Sequence, residues 1–124
     1  VPELPLIDAD RLMLEQVLLN LIRNGIEAMA TTPEADRVLR IECTASPDEL
    51  RVSVADQGSG IAPEIRDKLF SAFFTTKPEG MGVGLSICRS IIEFHRGRLW
   101  AEDNSQSATG SGTIFIFTLP PESA

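Results

Sequence analysis

Between residues 14 and 29 the chain repeats apolar side chains at three-and-four spacing: Leu14, Val17, Leu18, Leu21, Ile22, Gly25, Ile26 and Met29. That period gathers them on one side of an α-helix, and a side so apolar requires other elements to cover it. Asp8 or Asp10 is placed to cap the start, and Thr31-Thr32-Pro33 ends the helix because proline cannot continue one. A second amphipathic helix is expected from about Gly84 to His95, with Leu85, Ile87, Cys88, Ile91, Ile92 and Phe94 apolar and Gly97 as its stop. The period changes to two in residues 38–44 and 50–55, which read as strands of a hairpin turned by Ser46-Pro47-Asp48-Glu49. Two more strands are expected at 98–102 and 113–119, linked by the polar stretch 103–111. A short helix opened by Pro63 and running to about Phe70, then a loop over 71–81, fill the middle.

Helix, hairpin, short helix, loop, helix, hairpin is the order of an α/β fold. It implies a two-layer α/β sandwich, with three helices on one face of a mixed, mainly antiparallel sheet. The length, 124 residues, allows one domain spanning 1–124, and 43% hydrophobic residues suffice for a buried core. Eleven basic against 18 acidic residues leave a net charge of −7, which argues against nucleic acid as a partner. It does not argue against a nucleotide, whose phosphates are commonly held by backbone N–H groups and a metal. Cys43 and Cys88 lie inside apolar runs without ligand spacing and read as reduced core thiols of a cytoplasmic domain. No apolar stretch approaches the ~20 residues of a membrane span, and no secretory signal is visible. The chain opens at Val1 without an initiator Met, as a domain excised from a longer protein would.

The chemistry concentrates in glycines and amides. Glycines cluster at Gly58/Gly60, Gly80/Gly82/Gly84 and Gly110/Gly112. Gly80-Met81-Gly82-Val83-Gly84 runs straight into an apolar helix, where glycines admit close backbone approach and the helix start offers unpaired N–H groups to an anion. No Gly-Lys-Ser/Thr follows, so it is not a Walker loop, and its spacing is not that of a dinucleotide turn. On the first helix Gln16, Asn20, Asn24 and Glu27 form a polar stripe opposite the core stripe. An amide oxygen there suits a hard cation such as Mg²⁺.

Together these pieces resemble the catalytic, ATP-binding domain of sensor histidine kinases, within the GHKL (Bergerat-fold) superfamily. The resemblance covers essentially the whole chain. Residues 14–29 are similar to the N box, 54–63 to the G1 box, 69–77 to the F box, 80–86 to the G2 box and 110–113 to the G3 box. The stretch from Phe73 to Ser86 is especially similar to PAS-linked kinases of the FixL type. The resemblance implies ATP and Mg²⁺ as cofactors, with Asn24 on the metal and Asn20 assisting. It implies Asp56 on the adenine amino group and Gly58 and Gly60 shaping the wall beside the base. Phe70, Phe73 and Phe74 would pack a lid that carries Lys77. Gly80, Gly82, Val83, Gly84 and Leu85 would approach the phosphates, and Thr113 the adenine side through water. It further implies a separate dimerisation domain bearing the acceptor histidine, a homodimer, a downstream response regulator and a full-length protein that is a candidate for membrane anchoring.

Several positions depart from the family pattern. Gln57 stands where many members have Asn, and Glu27 where many have a cation, so cationic phosphate contact falls to Lys77, with Arg23 and Arg89 as alternatives. His95, the only histidine, follows an apolar helix face and lacks the phosphoacceptor context, so it reads as a helix-end residue satisfied locally. Two other classes remain open. ATP-hydrolysing relatives of the gyrase, chaperone or mismatch-repair kind place a catalytic Glu four residues before the metal-binding Asn, and here that position is Asn20. A domain that had lost catalysis would instead serve as a partner dock.

Overall fold

The computed structural model describes residues 11–30, 32–58, 60, 84–104 and 111–120. Helix α1 (Arg11–Ala28) leads through a short 3₁₀ turn (Glu34–Asp36) to strands β1 (Arg40–Ala45) and β2 (Leu50–Ala55). Helix α2 (Gly84–Phe94) is followed by β3 (Arg98–Asp103) and β4 (Thr113–Leu119). The described strands form one four-stranded sheet in the order β1-β2-β4-β3, and all three pairings are antiparallel.

Alternation along the strands decides what the helices cover. On one face Val52 and Val54 pair with Phe117 and Phe115, which pair in turn with Leu99 and Ala101. Val17 and Leu21 from α1 and Cys88 and Ile92 from α2 close over this face and complete the core. Each fully buried Val, Leu, Ile or Phe side chain among them contributes about 1.5–3 kcal/mol. The other face of central strand β4 is also covered, although no described helix lies there. Ile116 is buried beside its partner Trp100, and the guanidinium groups of Arg51 and Arg98 each stand 5.4 Å from the indole. Long polar side chains thus shield apolar surface with their stems and flat groups while their charges stay in water.

The structure corrects several expectations. Ile26 is 58% exposed and does not belong to the core stripe; with Leu12 and Leu19 it lies on the side of α1 away from the sheet. Ile87 and Phe94 of α2 are likewise exposed. The first strand begins at Arg40 rather than Val38 and is exposed along its whole length, because it is the outer strand of the described sheet. Cys43 is therefore an exposed thiol, whereas Cys88 is buried as expected. Helix α1 ends at Ala28, ahead of Thr31-Thr32-Pro33, in tight turns that bond Met29 N to Ile26 O and Ala30 N to Glu27 O. Helix α2 ends at Phe94, one residue before His95.

Gly97 does not itself turn the end of α2. Arg96 holds the left-handed conformation, with φ of 65°, and bonds its N–H to Glu93 O, while Gly97 N bonds to Ile92 O at 2.9 Å. This is the paired hydrogen-bond motif of a left-handed helix end, one residue earlier than the sequence suggested. Gly97 is required for another reason: a Cβ there would strike the Thr118 carbonyl oxygen of β4. His95 is satisfied locally, as expected, its Nδ1 lying 2.7 Å from the Ile91 carbonyl oxygen. The short helix after Pro63 and the loop over 71–81 lie outside the described residues. No helix among the described residues is long and apolar enough to cross a membrane.

Candidate functional site

Strand β2 delivers Asp56 to the edge of the core, at the point where the chain leaves the sheet beside the start of β4. The backbones of Asp56 and Thr113 meet there, Asp56 N donating to Thr113 O at 2.9 Å. The Asp56 carboxylate then folds back on its own turn. Its Oδ1 accepts from Gly58 N at 2.9 Å and from Thr113 N at 3.2 Å. Bonding to the N–H two residues ahead is the habit that makes Asp a turn former. Only 2% of the residue is exposed, and burial raises the carboxyl above its ordinary pKa despite the two N–H donors, which act the other way. Among the described residues no group donates to Oδ2. A buried acceptor of this kind normally has a partner, so this oxygen is a place where a ligand N–H would fit.

Glycines let the backbone close around this carboxylate. Gly112 has φ of +130°, and a Cβ on it would collide with the Asp56 carbonyl oxygen. Gly58 is pressed against the Ala28 carbonyl at the end of α1, and Gly60 stands beside Gly112. The carbonyls of the loop are capped by side chains from elsewhere. Asn104 Nδ2 donates to Asp56 O, Thr32 Oγ1 to Gln57 O and Ser111 Oγ to Gly58 O. Arg37 anchors the Thr32 segment in turn, its Nε donating to Thr32 O at 2.7 Å. Nothing in the sequence marks Thr32, Asn104 or Ser111 as donors to this loop: Thr32 reads as part of a helix stop, Ser111 lies in the 110–113 stretch without a role of its own, and Asn104 looks like any turn residue.

Helix α1 runs alongside the same carboxylate. A Cβ on Gly25 would lie 3.6 Å from Asp56 Cβ, so the turn bearing Asn24 borders the Asp56 site. Asn24 is half-buried there. Asn20, one turn earlier, is half-buried and lies near the Cys88 thiol of helix α2. It therefore flanks the core rather than lying opposite it. Burial pushes that thiol up to about 11, and its Sγ also contacts Val17 O. Gly84 is the first residue of α2, and the half-buried Leu85 packs its side chain against the core. The structure thus brings together Asp56, Gly58, Gly60 and Thr113, with Asn24 on the bordering helix turn. Lys77, Gly80, Gly82 and Val83, and the lid aromatics Phe70, Phe73 and Phe74, lie outside the described residues.

A family model described as histidine kinase-, DNA gyrase B-, and HSP90-like ATPase matches residues 9–123. The chain belongs to this ATPase family. Within it, the similarity is to histidine kinases. Sensor protein FixL of Bradyrhizobium diazoefficiens is 49% identical over 119 residues, covering 96% of this chain and 23% of that protein. The catalytic domain of histidine kinase ThkA superposes with a TM-score of 0.79 at 39% identity, covering 94% of this chain and 73% of that one. Full-length ShkA, solved in complex with AMPPNP, gives a TM-score of 0.77 at 31% identity and covers 98% of this chain and 24% of that one. The chain belongs with the catalytic ATPase domains of histidine kinases, and it spans about a quarter of the length of the FixL relative. The four-stranded antiparallel sheet under helices is the fold of this family's catalytic domains.

Proposed function

We infer that this domain binds Mg-ATP and donates the γ-phosphoryl group to a histidine on a separate dimerisation domain. The observation that carries the reading is the buried Asp56 carboxylate, with Oδ1 fixed by two backbone N–H groups and no donor to Oδ2 among the described residues. The exocyclic amino group of adenine is the donor that matches it. Thr113 stands at the adenine side, and Gly58 and Gly60 form the wall of the pocket. The phosphates would then extend toward Gly80, Gly82, Val83, Gly84 and Leu85, where the N–H groups at the start of α2 suit an anion.

Asn24, on the turn bordering Asp56, would hold Mg²⁺ through its amide oxygen, a hard donor of the kind that ion takes. When bound, the metal offsets phosphate charge. The rest of the reaction asks this chain for positioning. Asp56 fixes the base, the glycine segment fixes the phosphates, Lys77 supplies a cation, and the γ-phosphate is left facing outward. A histidine ring nitrogen forms the new bond to γ-phosphorus as the bond to the bridging oxygen breaks, and ADP leaves. His95 is not that acceptor, since it is buried at the end of α2 and bonded to its own helix. The reading assigns the acceptor to the dimerisation domain of a homodimeric protein, with a response regulator receiving the phosphoryl group next. Two free thiols and an ATP substrate suit a cytoplasmic domain.

The test is transfer of labelled γ-phosphate from ATP to a separately supplied dimerisation domain. Asn24→Ala is expected to lose Mg²⁺-dependent ATP binding and transfer while circular dichroism shows the fold intact. Undiminished transfer would remove Asn24 from the site.

A further inference from the structure

The loop that carries Asp56 is held by its carbonyl oxygens. Asn104 Nδ2 reaches Asp56 O at 2.8 Å, Thr32 Oγ1 reaches Gln57 O at 3.0 Å, and Ser111 Oγ reaches Gly58 O at 2.6 Å. The donors come from three separate segments: the turn after α1, the residue after β3 and the approach to β4. They clamp three successive peptide groups. Asn104 is itself tied to the β4 approach, its N–H donating to Gly112 O. Thr32 is buried, and Arg37 holds its carbonyl.

Clamped peptide planes have a chemical consequence. The Gly58 N–H that Oδ1 accepts belongs to the peptide whose carbonyl is that of Gln57, which Thr32 holds. Fixing that plane fixes the N–H, and with it the direction of Oδ2. The geometry points to Thr32, Asn104 and Ser111 as positioning residues for base selectivity. They act through Asp56, holding its carboxylate so that a base presenting N–H at that place is accepted and one presenting a carbonyl oxygen is rejected. Support of this kind, one layer behind a recognition group, is what keeps the group within a fraction of an ångström of its working geometry. The inference rests on the adenine reading of Asp56. A carboxylate free to turn would relieve its clash with guanine and would also grip adenine less firmly.

The experiment is calorimetric titration of ADP and of GDP into the chain and into Thr32→Val, Ser111→Ala and the double variant. The readout is the ratio of the two affinities. A change that merely unfolds part of the population weakens both nucleotides by one factor and leaves the ratio alone. The unsubstituted chain is expected to prefer ADP by at least about tenfold. Thr32→Val and Ser111→Ala are each expected to narrow that preference by about two- to threefold, and the double variant to bring it near parity, the scale of one to two modest hydrogen bonds. Thr32→Ser, which keeps the hydroxyl, restores the full ratio. An unchanged ratio in both single variants, with the unsubstituted chain still selective, overturns the positioning role. Equal binding of ADP and GDP by the unsubstituted chain overturns the adenine reading and the positioning role together.

Discussion

A carboxylate taken out of water is costly to ionise, and buried Asp56 bears that cost even with two N–H donors on Oδ1. Burial raises its folded-state pKa above the unfolded value of 3.8, so the folded chain holds the proton more tightly than the unfolded one. The stability this adds is complete below that unfolded value and is lost as pH rises through the raised one. An amide keeps an oxygen for the Gly58 and Thr113 N–H groups without the charge. Asp56→Asn is therefore expected to equal or exceed the unsubstituted chain in stability at neutral pH. The gap should close as pH falls toward the unfolded value. Urea unfolding of both forms between about pH 4 and about pH 8 measures it. A gap that widens as pH falls would show that the carboxylate is stabilised, not strained, by its surroundings.

Elements differ in how plainly the sequence announces them. Leu50–Ala55 and Thr113–Leu119 are both read correctly as strands; β2 and β4 are the central strands of the described sheet, and the alternation in β2 matches its one covered face. Residues 38–44 show the same alternation, yet β1 buries nothing, since alternation records which residues share a face and not whether the face is covered. Ile26 fails for a related reason: its spacing fits the core stripe, but Gly25 beside it occupies the buried position against Asp56. Asp56, Gly58 and Asn24 are legible through their motifs. The carbonyl clamps are not, because each joins residues at least 25 apart in sequence through a single hydroxyl or amide. The end of α2 hides its strain equally well. Arg96 takes a left-handed φ that costs a side-chain-bearing residue about 1–2 kcal/mol and glycine almost nothing. Arg96→Gly is expected to raise stability by about 0.5–1 kcal/mol once the greater unfolded-state freedom of glycine is set against the relief. Thermal unfolding reads this directly, and a loss of stability would mean that the Arg96 side chain makes a contact worth more than the strain.

At the scale of the whole molecule, the proposed function makes the domain a phosphoryl donor and not a hydrolase, and the sequence of α1 accords with that. The first helix carries Asn20 and Asn24 and no carboxylate between them, and Asn20 lies near the Cys88 thiol of α2. An amide does not accept a proton from water near neutral pH. Steady-state ATP hydrolysis by the domain alone is therefore expected to fall far below the ~1–10³ s⁻¹ typical of enzymes. A turnover within that range would mean that another base activates water.

All of this depends on Asp56 reading the base. Calorimetric titration of ADP and GDP against the unsubstituted chain and Asp56→Asn tests it most directly. Guanine sets a carbonyl oxygen where adenine has its amino group, leaving two acceptors face to face and a buried charged group without its hydrogen bond. That loss is roughly 1.5–3 kcal/mol, at ~1.4 kcal/mol per decade of affinity. GDP is thus expected to bind at least about tenfold more weakly than ADP, and Asp56→Asn to narrow the gap because an amide can turn its N–H₂ to the guanine oxygen. Comparable affinities for the two nucleotides in the unsubstituted chain would contradict the assignment of Asp56 to the adenine pocket.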